Sequence, residues 1–412
     1  MHATSHDDRR QILFLTPQLP YPPEQGTSIR NYNLLMDVAR RHDVSLLSFV
    51  EEEPCDPGPL ADVCRVLRTV SAPRRTPRDR LETLLTTPLP DMARRLYASE
   101  FVAALRTLLN EYRFDVVQIE GIELAPYALV LADWCGDKSP TLIFDDHNAE
   151  YVLQRRAFQT DVRNPRRWLQ ACYSLTQWQR LERFERRICE LADAVLSVSE
   201  ADAQALSQLV PGLQPVVIPN GVDIVRYRPD LPDDIPLQHP ALVFTGKMDF
   251  RPNVDAMLWF CHHVWPMITA RMPETRLYVV GKNPHPRLEP LARDERVIIT
   301  GYVQDSLPYF GGADVYIVPL RIGGGTRLKV LEAMATGKAL VSTTLGVEGI
   351  ALTPGEHVLV GDSPDAFADA TLELLRDPAR RQVMGQAARR FVVEHYDWSR
   401  IVQQLDSLYT VL

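Results

Sequence analysis

The segment Gly323-Gly324-Gly325-Thr326-Arg327-Leu328-Lys329-Val330-Leu331-Glu332 brings glycines, a hydroxyl, two cations and a carboxylate together just after an apolar run, Val315 to Pro319. Glycines let a backbone approach a ligand without Cβ interference, and a helix that starts there offers N–H groups with no partner inside the helix. That arrangement suits an anion, phosphate above all. Glu332, further along the helix, accepts hydrogen bonds from hydroxyls on the same ligand. Donors for phosphate and a carboxylate for hydroxyls fit a nucleotide-sugar. Taken alone, three glycines also make a plain flexible turn with solvated cations beside it. Position separates the readings, because ligands of open parallel sheets bind beyond the carboxyl ends of strands, where this loop falls.

Three more strand-end loops carry the same character. Phe244 to Asn253 holds Gly246, Lys247, Arg251 and Asn253. Gly281 follows Val280, and Tyr302-Val303 follow Gly301. Four such loops on one rim point to a nucleotide diphosphate. The chain has only five lysines, and two of them, Lys247 and Lys329, lie in these loops, as though a compact ammonium were wanted there.

In the first half, Gly26-Thr27 follow the first strand, where a backbone would meet a ligand across a cleft. Phe144 to Glu150 ends another strand in a dense polar cluster that includes Asp146, His147 and Asn148, and Glu120 ends a neighbouring strand. His147 fits a hydrogen-bond donor or base at a reacting centre, or else a structural hydrogen-bonding residue. Asp145, Asp146, His147 and Glu150 have ligand chemistry, but no second His or Cys recurs at metal spacing, so no metal site is expected.

The elements that must position these groups alternate between strand and helix. The first half reads as strands at Gln11–Thr16, Val44–Val50, Asp115–Glu120, Thr141–Asp145, Ala194–Ser199 and Val216–Pro219, with helical patterns between them, including all of Leu60 to Tyr112. A linker rich in Pro, Asp and Gly runs from Pro219 to Pro236. The rhythm then restarts with strands at Ala241–Thr245, Arg276–Val280, Val297–Thr300, Asp314–Val318, Ala339–Thr343 and His357–Val360. The glycine-loop helix is expected over Thr326–Thr336, and a last helix over Trp398–Tyr409. The fold class is α/β: two doubly wound, Rossmann-like domains facing across a cleft.

Bulk composition agrees. A chain of 412 residues with 45% apolar and 24% charged content is an ordinary globular protein too long for one typical domain. A net charge of −8 argues against a nucleic-acid partner. No apolar run approaches the roughly 20 residues that cross a bilayer, and the first apolar run reads as a strand rather than a signal peptide. Six cysteines without a C-x-x-C pair fit a reduced, cytoplasmic compartment.

Taken together, the sequence resembles the retaining glycosyltransferases of the GT-B fold, specifically glycosyltransferase family 4. The resemblance runs over nearly the whole length. It is carried by Leu15-Thr16-Pro17 with Gly26, Asp146 to Glu150, Ile218-Pro219-Asn220-Gly221-Val222-Asp223, Gly246-Lys247-Met248-Asp249 with Pro252-Asn253, Gly301-Tyr302-Val303, the Gly323–Glu332 block and Tyr396-Asp397-Trp398. It implies an acceptor-side domain over 1–217, a nucleotide-sugar-binding domain over 218–390, and a closing helix, 391–412, that returns to the first domain. It implies transfer of a sugar from a nucleotide-diphosphate donor to a glycan or lipid-linked acceptor, with retention and with neither cofactor nor metal. Lys247, Arg251 and Asn253 would lie at the diphosphate, Tyr302-Val303 at the nucleobase, and Glu332 at the ribose hydroxyls. The family's E-x7-E motif puts its first Glu at 324, where this chain has Gly324. Gly324 and Gly325 offer backbone groups only, so Arg327 or Lys329 strengthens the diphosphate contact and the donor sugar is left open. The alternatives on the same fold are a nucleotide-sugar epimerase and a non-catalytic nucleotide-sugar-binding protein. Tyr151 to Arg187 carries nine Arg against three acidic residues, with Trp168, Tyr173, Trp178 and Phe184. It reads either as a peripheral membrane face or as a solvated helix pair with some aromatics in the core.

Overall fold

The computed structural model describes residues 9–52, 54–135, 140–162, 168–231, 235–323 and 325–412. The chain divides into two compact units, one comprising 1–219 and 402–412, the other 220–401.

The first unit is built on β1 (Gln11–Thr16), β2 (Asp43–Val50), β3 (Cys64–Ser71), β4 (Val116–Glu120), β5 (Thr141–Asp146), β6 (Ala194–Ser197) and β7 (Val216–Val217). Among the described residues these form one sheet in the order β3-β2-β1-β4-β5-β6-β7, paired in parallel. The central strands are near-continuous apolar runs, as strands covered by helices on both faces must be. Ile12, Leu13, Phe14 and Leu15 are all fully buried.

The second unit holds β8 (Ala241–Thr245), β9 (Arg276–Val280), β10 (Val297–Gly301), β11 (Val315–Val318), β12 (Ala339–Ser342) and β13 (Leu359–Val360). Its described strands run β10-β9-β8-β11-β12-β13, again in parallel. Both sheets reverse strand order beside their first strand, between β1 and β4 in one and between β8 and β11 in the other. That reversal opens a crevice at the strand carboxyl ends, where ligands of such sheets bind.

Two expectations need correction. Leu60–Tyr112 is not helical throughout, because β3 lies within it. Its exposed positions, Arg65, Arg68 and Ser71, recur every third residue, which imitates a helical surface pattern. As the edge strand it pairs on one side only and is partly exposed along its length, so it tolerates charged side chains on either face. The glycine-loop helix begins at Leu328 rather than Thr326 and ends at Ala335, because Arg327 is still extended (φ −88°, ψ 92°) and serves as its cap. The last helix runs from Trp398 to Val411.

Candidate active site

Each unit carries a polar constellation at its crevice. In the second unit the exits of β8 and β11 flank the reversal, so the Gly246 loop and the Gly323 loop are neighbours by topology. Gly246 has φ +151°, and a Cβ on it would lie 2.8 Å from Lys329 Nζ and 2.7 Å from Asn253 Nδ2. Lys329 Nζ donates to Asn253 Oδ1 at 2.9 Å and sits 4.1 Å from the centre of the Phe244 ring. Asn253 Nδ2 in turn donates to the Lys247 carbonyl at 2.9 Å. Burial, with Arg327 adding to it, pushes the Lys329 ammonium down to about 7. Lys247 instead points outward, 3.7 Å from Asp249 with 45% of its side chain exposed. Arg251, the first residue of the helix Arg251–Trp259, is exposed as well. Lys329 is therefore the inner cation of this loop pair, and Lys247 and Arg251 are outer ones.

The glycine loop adds further donors. The Thr326 hydroxyl is buried and has no hydrogen-bond partner among the described residues. A Cβ on Gly323 (φ +117°) would meet Arg327 Nη2 at 3.1 Å, so the guanidinium lies close against that glycine. Gly325 has φ +73°. Gly324 lies outside the described residues. One turn into the helix, Glu332 Oε1 accepts from the Tyr227 hydroxyl at 3.0 Å. Burial raises the Glu332 pKa, opposed by the Tyr227 bond and the charge of Lys329. Tyr227 is fixed from behind: Arg389 Nη1 donates to the carbonyls of Tyr227 and Ala335, each at 2.7 Å.

Gly281 is a packing residue in this geometry. At φ +150° a Cβ would fall 1.8 Å from the Gly246 carbonyl oxygen. The two exits are laced by Gly246 N–H to Val280 O at 3.0 Å and Met248 N–H to Lys282 O at 2.9 Å. Tyr302 is 74% exposed, and Val303 packs half-buried on the core.

In the first unit the helix Gly26–Val38 starts after β1, with Gly26 and Thr27 in its opening turn. Arg30 follows on its buried side. Its Nε and Nη2 donate to Asp145 Oδ2 at 3.0 and 2.8 Å, and its Nη1 to the Pro219 carbonyl at 3.3 Å. Glu120 pairs in register with Asp145 across β4 and β5. Its Oε2 lies 2.9 Å from His147 Nε2, and its Oε1 accepts from Gln118 Nε2 at 2.7 Å. Burial alone would lower the His147 pKa, but the Glu120 bond and the Asp145 charge outweigh it, so the net shift is upward. The imidazole keeps 16% exposure and so reaches solvent at one edge. Glu120, Asp145 and His147 present ligand atoms within 4.8 Å of one another, the spacing of a cation site. Arg30, bonded to Asp145, already supplies positive charge there.

Asp146 faces the interior rather than the crevice. It is fully buried beside Glu185, which caps the helix Glu150–Asp161 by accepting the N–H groups of Glu150 and Tyr151, each at 2.9 Å. Burial and Glu185 hold the Asp146 carboxyl well above its ordinary value, and burial pushes Glu185 up to about 7. Asn148 Nδ2 donates to Glu150 Oε1 at 3.2 Å. Sequence reasoning missed Arg30, Gln118, Glu185, Tyr227 and Tyr409. Gln118 carried the one visible signal, a carboxamide inside the apolar run Val116 to Ile119.

Residues 25–226 match the family model described as Glycosyltransferase Family 4, and residues 239–377 the one described as Glycosyl transferases group 1. The chain belongs to glycosyltransferase family 4. This family 4 chain is 28% identical over 212 residues to a GDP-mannose-dependent monoacylated alpha-(1-6)-phosphatidylinositol monomannoside mannosyltransferase of Corynebacterium glutamicum, covering 46% of this chain and 55% of that one. It is 30% identical over 246 residues to a GDP-mannose-dependent alpha-(1-6)-phosphatidylinositol monomannoside mannosyltransferase of Mycobacterium tuberculosis, covering 53% and 62%. The chain thus spans only half to two thirds of the length of these relatives. Among solved structures, sucrose-phosphate synthase from Thermosynechococcus elongatus superposes with a TM-score of 0.69 at 20% identity, covering 97% of this chain and 98% of that one. Anabaena HepE in complex with UDP and glucose gives 0.67 at 15% identity, covering 98% and 100%. At these identities the likeness establishes the fold, two Rossmann-like α/β domains of the GT-B type.

Proposed function

We propose that this family 4 chain is a metal-independent, retaining glycosyltransferase that moves a hexose from a nucleoside-diphosphate donor to a lipid-linked or glycan acceptor. The observation that carries the reading is the buried Thr326 hydroxyl, without a partner among the described residues, beside the cation Lys329, which is pressed against Phe244 and Asn253. A buried hydroxyl without a partner costs free energy, and a phosphate oxygen would satisfy it. Lys329, held near neutrality by burial, regains full charge beside a diphosphate.

In this reading the bond between the anomeric carbon and the diphosphate oxygen breaks, and charge grows on the leaving phosphate. Lys329, Arg327, Lys247, Arg251 and the N–H groups at the start of the helix Leu328–Ala335 stabilise it. Glu332 takes the ribose hydroxyls and Tyr302-Val303 the base. The acceptor hydroxyl attacks on the face the diphosphate vacates, and its proton passes to a phosphate oxygen. In the first unit His147 offers a hydrogen bond to a sugar hydroxyl through its solvent-facing edge. The mannosyltransferase relatives favour GDP-mannose as donor and a phosphatidylinositol mannoside as acceptor, and Anabaena HepE, also solved in complex with UDP-glucose, makes that sugar nucleotide the next candidate. No helix among the described residues is long and apolar enough to cross a membrane. A lipid acceptor would be met peripherally, on the cytoplasmic face, where Trp168 and Tyr173 stand exposed on the Arg-rich helix Trp168–Leu191.

Calorimetry with GDP and UDP, followed by NMR of GDP-mannose and UDP-glucose incubated with and without phosphatidylinositol mannosides, tests the proposal. Binding of one diphosphate, weakened roughly tenfold or more in Lys329→Met, and acceptor-dependent release of that diphosphate are expected. Equal binding by wild type and Lys329→Met, or conversion of donor into an isomer without release of diphosphate, overturns it.

A further inference from the structure

We propose that Tyr409, Gln118 and Glu120 form a positioning chain for His147, so that the carboxy-terminal helix sets the orientation of the imidazole. The role of the imidazole in sugar transfer rests on the function proposed above; the chain itself is a matter of geometry.

Gln118 and Glu120 alternate along β4 and so share one face of the sheet. Tyr409, fully buried on the helix Trp398–Val411, donates its hydroxyl to Gln118 Oε1. Gln118 Nε2 donates to Glu120 Oε1 at 2.7 Å. Glu120 Oε2 pairs with His147 Nε2 at 2.9 Å. Every donor in this series points toward Glu120. A flipped Gln118 would turn its carbonyl oxygen onto the Glu120 carboxylate, acceptor against acceptor. The acceptor-only Glu120 carboxylate therefore selects one carboxamide orientation, the Tyr409 hydroxyl holds it by donating to the carbonyl oxygen on the other side, and the carboxylate so held keeps Oε2 for the imidazole. A carboxylate at Nε2 requires the proton there and leaves Nδ1 as the nitrogen available to a ligand. Gly121, at φ +83°, lies beside that nitrogen: a Cβ on it would stand 3.5 Å from Nδ1 and 3.3 Å from Glu123 Oε2.

The helix is locked where the chain starts. Asp406, one turn before Tyr409, accepts from Arg41 and lies 2.9 Å from His42 Nε2. The His42 ring meets the Tyr409 ring edge-on at 5.5 Å. A phenylalanine would fill the same space, so the buried hydroxyl is explained by the bond it makes rather than by packing.

The test compares wild type with Tyr409→Phe, Gln118→Leu, Glu120→Gln and the Tyr409→Phe/Glu120→Gln double variant, with thermal melts to identify the folded ones. With histidine labelled with nitrogen-15, the Nε2-bound proton of His147 is followed by NMR in full-length protein. The chain predicts that this proton exchanges with solvent roughly tenfold faster in Tyr409→Phe and Gln118→Leu than in wild type. It also predicts a fall of about tenfold in kcat for donor turnover with donor KM unchanged, and no further loss when Tyr409→Phe is added to Glu120→Gln. An unchanged His147 proton in either folded variant, or additive losses in the double variant, overturns the chain and leaves Tyr409 a packing residue. The NMR readout needs no turnover. Faster exchange in a protein that transfers no sugar upholds the chain and sinks only the transferase reading.

Discussion

Lys329 on the glycine loop donates to Asn253 on the neighbouring strand exit at 2.9 Å, which fastens the inner cation of the site to a loop some seventy-six residues earlier. The ammonium is thereby preplaced before any ligand arrives, and its low pKa gives it a measurable signature.

Diphosphate binding above neutral pH should take up a proton. With Lys329 at about 7 in the free protein, a growing fraction is neutral as pH rises, and a bound phosphate recharges it. Calorimetry at about pH 8 in buffers of different ionisation enthalpy should show uptake approaching one proton, with affinity weakening between about pH 7 and 9. Lys329→Met should lose both the uptake and roughly tenfold or more in affinity.

Glu332 and Tyr227 should act as a pair. Glu332→Ala removes the carboxylate and should weaken nucleoside-diphosphate binding by about 1.5–3 kcal/mol, with a smaller effect on inorganic pyrophosphate, which has no ribose. Tyr227→Phe removes only the 3.0 Å bond that aims the carboxylate and should cost about 1 kcal/mol. Competition binding against both ligands checks this.

Gly281→Ala should fail structurally rather than catalytically. Its Cβ would fall 1.8 Å from the Gly246 carbonyl at a φ that side chains avoid. Backbone cannot yield as a flexible side chain does, so a loss of several kcal/mol is expected in urea unfolding, well beyond the ordinary range for a point change.

The interior acids should make the fold less stable as pH rises. Asp146 and Glu185 stand above their ordinary values when folded, so the folded chain holds protons that the unfolded chain gives up near its ordinary carboxylate range. Their contribution is fully present below about pH 4.5 and is lost as pH climbs through 7 and beyond, by up to about 1.4 kcal/mol per unit for each proton. The melting temperature should drop from about pH 4.5 up to about pH 7, where Glu185 ionises in the folded chain. Asp146→Asn keeps a donor facing Glu185 at every pH and should flatten that slope.

Arg30→Met should strand Asp145. The guanidinium makes both bonds to Asp145 Oδ2 at a site sealed from water. Removing one partner of such a pair costs about 3–5 kcal/mol, which chemical denaturation would register.

The sequence made the second constellation legible because its parts are contiguous: glycines, Thr326, Lys329 and Glu332 follow one another after a strand. It did not rank the cations. Lys247 and Lys329 look alike as letters, and only the packing of Phe244 and Asn253 makes one inner and the other outer. The first constellation was half visible. His147 and Glu120 sit at strand ends, where polar residues attract notice. Gln118, which bonds Glu120, Tyr409, which bonds Gln118, and Arg30, which bonds Asp145, come from a strand interior, the last helix and a helix face, and no local pattern joins positions so far apart. The strand β3 was hidden by its arginines, which satisfy an exposed edge and a helical surface equally well.

Arg389 belongs to the helix Pro378–His395, yet its guanidinium ties Tyr227, Ala335 and, at 3.0 Å, the Ile224 carbonyl into one knot behind Glu332. Attempts to retune nucleotide preference by swapping loops alone would inherit this knot unchanged. Chimeras should break outside Ile224–Arg389, so that the carboxylate travels with the scaffold that aims it.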